Sequence, residues 1–242
     1  MKKAYINWSS GKDAAFALYK IQKEQKFKVE KLVTTVNSEV DRVSMHGLRK
    51  ELLLRQAESL QIPLQIISLN GNVSMQTYNA LMKAEVSKLI AEGFTHSVFG
   101  DIFLEDLKEY REKQLAEVGL KAVFPLWGKN TREIMDEFIT EGFKAITVCV
   151  NAKLLDNSFC GRIIDHQFMA DLPKNVDPCG ENGEFHSFVF EGPNFKNPVD
   201  FETGEIIEKQ FSPGEDEKDD CFTDKIESWD TRFWYCDLIP KN

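Results

Sequence analysis

Residues 2–15, Lys2-Lys3-Ala4-Tyr5-Ile6-Asn7-Trp8-Ser9-Ser10-Gly11-Lys12-Asp13-Ala14-Ala15, decide the fold. The segment 2–8 is mixed apolar and β-prone and reads as a short strand that ends at Ser9-Ser10-Gly11. Residues 12–25 follow with Ala14, Ala15, Leu18 and Ile21 at helical spacing. A strand that turns through Ser-Ser-Gly into a helix leaves unpaired backbone N–H groups at the positive end of the helix dipole, which is an anion site. Ser9 and Ser10 add hydroxyls, Gly11 allows close backbone approach, Lys12 adds positive charge, and Asp13 sits in the first turn, placed for the dipole or for a metal-bound phosphate. The loop is not a Walker A motif, because Ile6 stands where its first glycine belongs, and no GxGxxG occurs. An ordinary helix cap accounts for the same residues equally well when they are taken alone.

Outward from this loop the pattern repeats. Strand-like 31–37 precedes an amphipathic helix at 48–60, in which Leu52, Leu53, Gln56 and Leu60 fall near one face. A strand at 64–69, a helix at 74–92 capped by Ser74, a strand at 96–100, a helix at 105–118, a strand at 121–126, a helix at 131–141 and a strand at 144–151 complete the series. Strand and helix alternating with short connections predict an α/β fold, a doubly wound, mostly parallel sheet. Ligands in such sheets bind at the carboxyl ends of the strands, near the switch point. After about residue 152 the rhythm gives way to Pro173, Pro178, Pro193 and Pro198, a helix at 161–171, a hairpin at 199–211 turning at Thr203-Gly204, an acidic run at 215–220 and a strand at 232–239. This is read as a smaller α+β C-terminal region, so the chain divides into 1–125 and 126–242, the second part continuing the sheet.

The 242 residues carry 30 Lys and Arg against 39 Asp and Glu, a net charge of −9. That balance argues against nucleic acid as a partner, since such binding runs on clustered cations. Five cysteines (Cys149, Cys160, Cys179, Cys221 and Cys236) without a CxxC pair give no zinc or thioredoxin-type signal and fit a reducing, cytoplasmic setting. The apolar stretch after the N-terminal lysines is too short for a signal sequence, and no window is long enough to span a membrane.

A second signature lies at 177–193, DPCGENGEFHSFVFEGP. If 184–190 is extended, Glu184, His186 and Phe188 share one face and Phe185, Ser187 and Val189 the other. An acid beside a histidine can orient ammonia, bind Mg2+ or act as general base; a Gly-rich turn feeding a half-buried strand accounts for the same residues.

Ser-Ser-Gly-Lys-Asp-Ala resembles the SGGKDS loop of the N-type ATP pyrophosphatases, the PP-loop superfamily, with Ser10 in place of a glycine and Ala14 in place of a serine. GENGEFHSFVFEGP, the unit LLLRQAESLQIPL at 52–64, Gly100-Asp101-Ile102 and PLWG at 125–128 are together similar to the diphthine–ammonia ligase family, over residues 3–193. The resemblance implies the compact form, without the extra C-terminal domains of longer members, and a HUP-type fold like the adenine nucleotide alpha hydrolases. It implies an AMP-forming ligase that uses ATP and Mg2+, adenylates a carboxylate acceptor (in the family a modified histidine, diphthine, on an elongation factor), releases pyrophosphate and transfers ammonia.

Carried onto this sequence, the resemblance makes Ser9, Ser10, Gly11, Lys12 and Asp13 the phosphate contacts, with Asp13 a candidate metal ligand. Thr35, His46, Gly100 and Asp101 would complete the nucleotide site. Glu181, Glu184 and His186 would face the acyl-adenylate, and Lys12, Asp13, Glu184 and His186 would be catalytic. His96 and His166 are read as structural; Tyr110 and Arg111 are candidates for lining the pocket. A homo-oligomer is compatible with this reading. Two other readings share the loop: a tRNA-modifying ATP pyrophosphatase, for which Cys179 would be the thiol to test, and a non-catalytic nucleotide-binding sensor.

Overall fold

The computed structural model describes residues 1–43, 47–71, 74–211 and 231–241. His46 and the acidic run 215–220 lie outside the described residues.

Five parallel strands form the first sheet: β1 (Lys2–Asn7), β2 (Phe27–Asn37), β4 (Leu64–Leu69), β5 (His96–Val98) and β6 (Lys121–Val123), in the order β4-β2-β1-β5-β6. A two-residue strand, β3 (Arg42–Val43), lies antiparallel against the end of β2. The chain first winds from β1 toward β4 and then returns to β5 and β6, so the switch point falls between β1 and β5.

Helices cover both faces. On one pack α1 (Lys12–Glu24), α2 (Lys50–Leu60) and α5 (Thr131–Thr140), through Phe16, Leu18, Leu52, Leu53 and Phe138. On the other pack α3 (Met75–Ala91) and α4 (Glu105–Glu117), through Val86, Leu89 and Leu115 against Tyr5, Val33 and Phe99. This is the doubly wound α/β sheet expected from the alternation.

The strand at 144–151, read as continuing that sheet, belongs elsewhere. β7 (Lys144–Asn151) sits inside a second, antiparallel sheet of order β8-β7-β10-β9, with β8 (Phe185–Glu191), β9 (Phe201–Phe211) and β10 (Thr231–Pro240). Its unbroken buried run from Ala145 to Val150 is the mark of a strand covered on both sides, and periodicity alone cannot say in which sheet such a strand lies.

The expected hairpin at 199–211 is instead one continuous strand. Gly204 lies where the β9–β10 register slips, between the pairs Cys236–Ile206 and Leu238–Thr203, and a Cβ there would meet the Asp237 carbonyl at 3.2 Å. The glycine marks an irregularity in the ladder and not a turn. The helix expected over 161–171 is reduced to α6 (His166–Asp171), because Ile163 is held extended by bridging to Ile146; Asp165 caps α6 by accepting from the Phe168 N–H at 2.7 Å.

The two sheets share one core. Residues of α1 and α5 pack in the same cluster as Ile146, Phe188 and Leu238 of the second sheet and Phe168 of α6. Phe16 is its pivot, with ring centroids 5.8 Å from Phe138, 5.9 Å from Phe143 and 6.2 Å from Tyr19. Truncating it removes a fully buried ring from a site that three neighbouring rings cannot collapse to fill. Phe16→Ala is expected to lower unfolding free energy by about 3–5 kcal/mol, read as a shift in urea midpoint with an unchanged slope.

Candidate functional site

The loop between β1 and α1 is held by groups distant in sequence. Ser10 takes φ +70°, the left-handed region, which suits glycine and costs an L-residue roughly 1–2 kcal/mol. This is the position where the resemblance places a glycine. Its carbonyl accepts two hydrogen bonds, from the Val189 N–H at 3.0 Å and from Gln56 Nε2 at 3.0 Å. Gln56, fully buried on α2, also donates to the Val189 carbonyl at 2.6 Å and accepts from the Trp8 indole N–H at 2.7 Å. Gly11 stands at the N-cap of α1, and the Lys12 N–H donates to Ser187 Oγ at 3.1 Å. Two positions apart on β8, Ser187 meets the loop through its side chain and Val189 through its main chain.

Charged groups gather where the β5 loop meets α1. A Cβ on Gly100 would lie 2.7 Å from the Asp13 carbonyl carbon and 2.9 Å from the Ala14 nitrogen, so only glycine lets the strand end approach the helix this closely. Lys12 is 3% exposed, and its ammonium sits on both oxygens of Asp13 at 2.8 and 2.7 Å. Burial opposes that charge, but Asp13, Cys179 and Glu181 outweigh it and hold the Lys12 pKa above the ordinary lysine value. Asp101 is raised, first by burial, and Arg111 opposes the shift through contacts at 2.9 and 3.2 Å. The Arg111 guanidinium lies 4.4 Å from the centre of the Phe99 ring.

The second signature reaches the same place. Glu181 accepts from the Ile102 N–H at 2.7 Å, tying the turn to the β5 loop. Its pKa is pushed up to about 7, first by burial and then by Asp13; the Ile102 N–H and Lys12 pull the other way. Glu184 has a different task. It is 2% exposed, and its oxygens accept from the Asp177 N–H at 3.0 Å, the Asn182 N–H at 2.9 Å and the Asn182 side-chain amide at 3.0 Å. Asp177 closes the turn from its other end, accepting from the N–H groups of Cys179 at 2.9 Å and Glu181 at 3.3 Å. Within that turn Gly180 has φ +66°, and a Cβ there would meet the Phe185 ring and carbonyl at 2.9 Å. Glu184 therefore holds the turn, while Glu181 reaches the loop.

His186 lies on β8 opposite Cys149 of β7; burial first, and then Lys12, lower its pKa to about 4, so the imidazole is neutral. Thr35 is half-buried, two positions before the carboxyl end of β2, and its neighbour Thr34 donates to the Trp8 carbonyl at 2.7 Å. The described residues on either side of positions 44–46 meet β10. Arg42 and Arg49 meet the Asp237 carboxylate at 2.9 and 2.5 Å, and Gly47 approaches the Tyr235 ring. His96 is buried in the sheet against Phe27, a structural place, and His166 lies exposed at the start of α6. Cys179 is buried, donates to the Thr131 carbonyl at 3.4 Å and has its pKa raised by burial, which makes it a poor nucleophile.

Both Asp13 oxygens face the Lys12 ammonium, and among the described residues no group of three or more His, Cys, Asp or Glu is placed to hold a metal. The described side chains do not by themselves make up a metal site. Beside the charged cluster, between α3 and α4, opens a cavity of about 350 Å³ whose walls include Tyr5, Asn7, Phe99, Tyr110 and Arg111. No helix among the described residues is long and apolar enough to cross a membrane.

Gln56, Ser187 and the Val189 backbone were not among the expected site residues. A glutamine on an otherwise apolar helix face, inside the family-like unit 52–64, was the sequence signal for the first; a backbone N–H leaves none.

Residues 1–122 match the family model described as the diphthamide synthase N-terminal domain, and residues 130–213 that of the diphthamide synthase C-terminal domain. The diphthine–ammonia ligase of Homo sapiens is 25% identical over 167 residues, 62% of each chain. That of Schizosaccharomyces pombe is 24% identical over 185 residues, 70% of this chain and 30% of the relative. The chain thus spans less than two thirds of the length of the curated relatives it matches. Among solved structures, a phosphoadenylyl-sulfate reductase from Candida auris in a phosphate complex is similar at TM-score 0.35 and 17% identity, covering 58% of this chain and 73% of that one. The U34-tRNA thiolase NcsA from Methanococcus maripaludis gives TM-score 0.36 and 16% identity, covering 57% and 56%. The β1–α1 loop falls within the first family match and the turn that docks on it within the second, and together the two matches show that the chain belongs to the diphthamide synthase family.

Proposed function

We propose that this protein is an ATP-dependent, AMP-forming amide ligase. The observation that carries the reading is the meeting of Lys12 and Asp13, at the start of α1, with Asp101 and Glu181 across the switch point. The family membership supports a ligase of diphthamide synthesis, and the relatives' names point to diphthine as the carboxylate acceptor and to ammonia as the nitrogen donor. The acceptor is then a modified histidine carried by an elongation factor, which sets the reaction in the cytoplasm.

In the first step a carboxylate oxygen attacks the α-phosphorus of ATP, and pyrophosphate leaves. The step is needed because a carboxylate has no good leaving group of its own, whereas the acyl-adenylate offers AMP. The N–H groups of the first turn of α1 and the charge of Lys12 stabilise the phosphates as negative charge moves onto the leaving pyrophosphate. Magnesium, brought in by ATP, would supply further charge neutralisation. In the second step the ammonia nitrogen attacks the acyl carbon, AMP leaves, and one proton must be removed. Glu181, with a pKa near 7, is matched to accept it at neutral pH. Glu184 shapes the turn that presents Glu181, and the neutral His186 ring is offered as a hydrogen-bonding neighbour of the acceptor.

The decisive assay mixes ATP, ammonia and a diphthine-bearing substrate: AMP and pyrophosphate support the reading, and ADP with phosphate would sink it. Lys12→Ala is expected to lower turnover about 100-fold or more. Glu181 works only when deprotonated, so activity at a fixed concentration of free NH3 should climb with pH and level off above an apparent pKa near 7. Glu181→Gln should remove that ascending limb along with about 100-fold of the rate; a variant keeping the wild-type profile would exclude Glu181 as the base. Gly100→Ala must push the β5 loop off α1, so turnover should fall while circular dichroism stays native; undiminished turnover would dissociate this contact from the site.

A further inference from the structure

We infer that Gln56 is a positioning residue for the anion loop, fixing the direction of the Ser10–Gly11 peptide so that the Gly11 N–H faces the bound phosphate. The inference rests on the ATP-loop reading above and adds to it a residue outside every motif quoted for phosphate binding.

The geometry is that of a clamp. In a trans peptide the carbonyl and the following N–H point in opposite directions. The Ser10 carbonyl is turned inward, onto Gln56 Nε2 at 3.0 Å and the Val189 N–H at 3.0 Å. The Gly11 N–H is thereby turned outward, to the side where Ser9 Oγ lies at 3.4 Å. Ser10 would not keep this arrangement unaided, since φ +70° is costly for a serine. Gln56 is itself immobilised: its oxygen accepts from the Trp8 indole at 2.7 Å, which dictates which end of the amide is the donor, and its NH2 group uses its second hydrogen on the Val189 carbonyl at 2.6 Å. One fully buried side chain thus joins the residue before the loop, the strained residue within it and the strand beneath it. Glutamine suits the place because it offers one acceptor and two donors from a single planar group.

The test is a double-mutant cycle read by calorimetric titration of inorganic pyrophosphate and of ATP. Gln56→Met keeps the volume and removes the clamp. It is expected to weaken pyrophosphate binding at least tenfold and to raise KM for ATP more than it lowers kcat. Glycine at position 10 adopts positive φ without help, so in a Ser10→Gly background the same substitution should weaken binding less than threefold. Equal losses in the two backgrounds would mean that Gln56 only fills space, and unchanged pyrophosphate affinity in Gln56→Met would overturn the assignment outright. Should Gln56→Met not fold, Gln56→Glu keeps the Trp8 acceptor while facing the Ser10 carbonyl with no donor. It should show the same tenfold loss, and wild-type affinity there would also overturn the inference. Wild-type protein that binds neither pyrophosphate nor ATP would remove the anion-loop reading itself, a result distinct from failure of the Gln56 assignment alone.

Discussion

The hydrogen bond from the Val189 N–H to the Ser10 carbonyl joins the strained residue of the first sheet's loop to the central part of β8 in the second sheet. Around it lie the Ser187 hydroxyl on the Lys12 N–H and the Gln56 amide on both backbones. A left-handed serine at 0% exposure has no water to satisfy its carbonyl, and an unpaired buried carbonyl costs roughly 1–3 kcal/mol, comparable with the backbone strain itself. One donor comes from α2 through Gln56 Nε2, and the second sheet supplies the other through the Val189 N–H. Its position against α1 is therefore a condition for the loop's shape, and the shared core around Phe16 and Phe188 keeps it there.

The two glutamates of the second signature show how environment separates residues of the same type. Glu184 receives three hydrogen bonds from its own turn. Glu181, three residues earlier, receives one from Ile102 and shares its surroundings with Asp13 and Asp101. Like charges and burial raise the second carboxyl toward neutrality, while the first is committed to shaping the backbone. The motif is one structural unit with a single chemical end.

Much of the first sheet was legible because its signals are local. Apolar spacing, the Ser-Ser-Gly break and the glycines after the helices each report on a few neighbouring residues. The strand–loop–helix turn at Ser9–Gly11 was legible for the same reason, and so was Ser10 as the place where the pattern departs. The partners of that loop were not, since Ser187 and Val189 act from 175 or more positions away and one of them through a main-chain group that every residue owns. β7 was assigned to the wrong sheet because a strand buried on both sides reads alike in either. Gly204 read as a turn because glycine marks turns and ladder irregularities alike, and only the β10 partner distinguishes them. Glu184 was ranked with Glu181 because spacing shows which residues share a strand face and says nothing of which acceptors the preceding turn has already claimed.

The clamp on Ser10 has a consequence for the order in which this chain comes into being. During synthesis residues 9–13 leave the ribosome early, whereas the strand that completes them follows some 175 residues later. Until β8 is in place, the Ser10 carbonyl lacks the Val189 N–H as a donor and keeps only Gln56 Nε2, and the Lys12 N–H lacks the Ser187 hydroxyl. The final shape of the loop is therefore a late product of folding, completed only when the second sheet docks on the first.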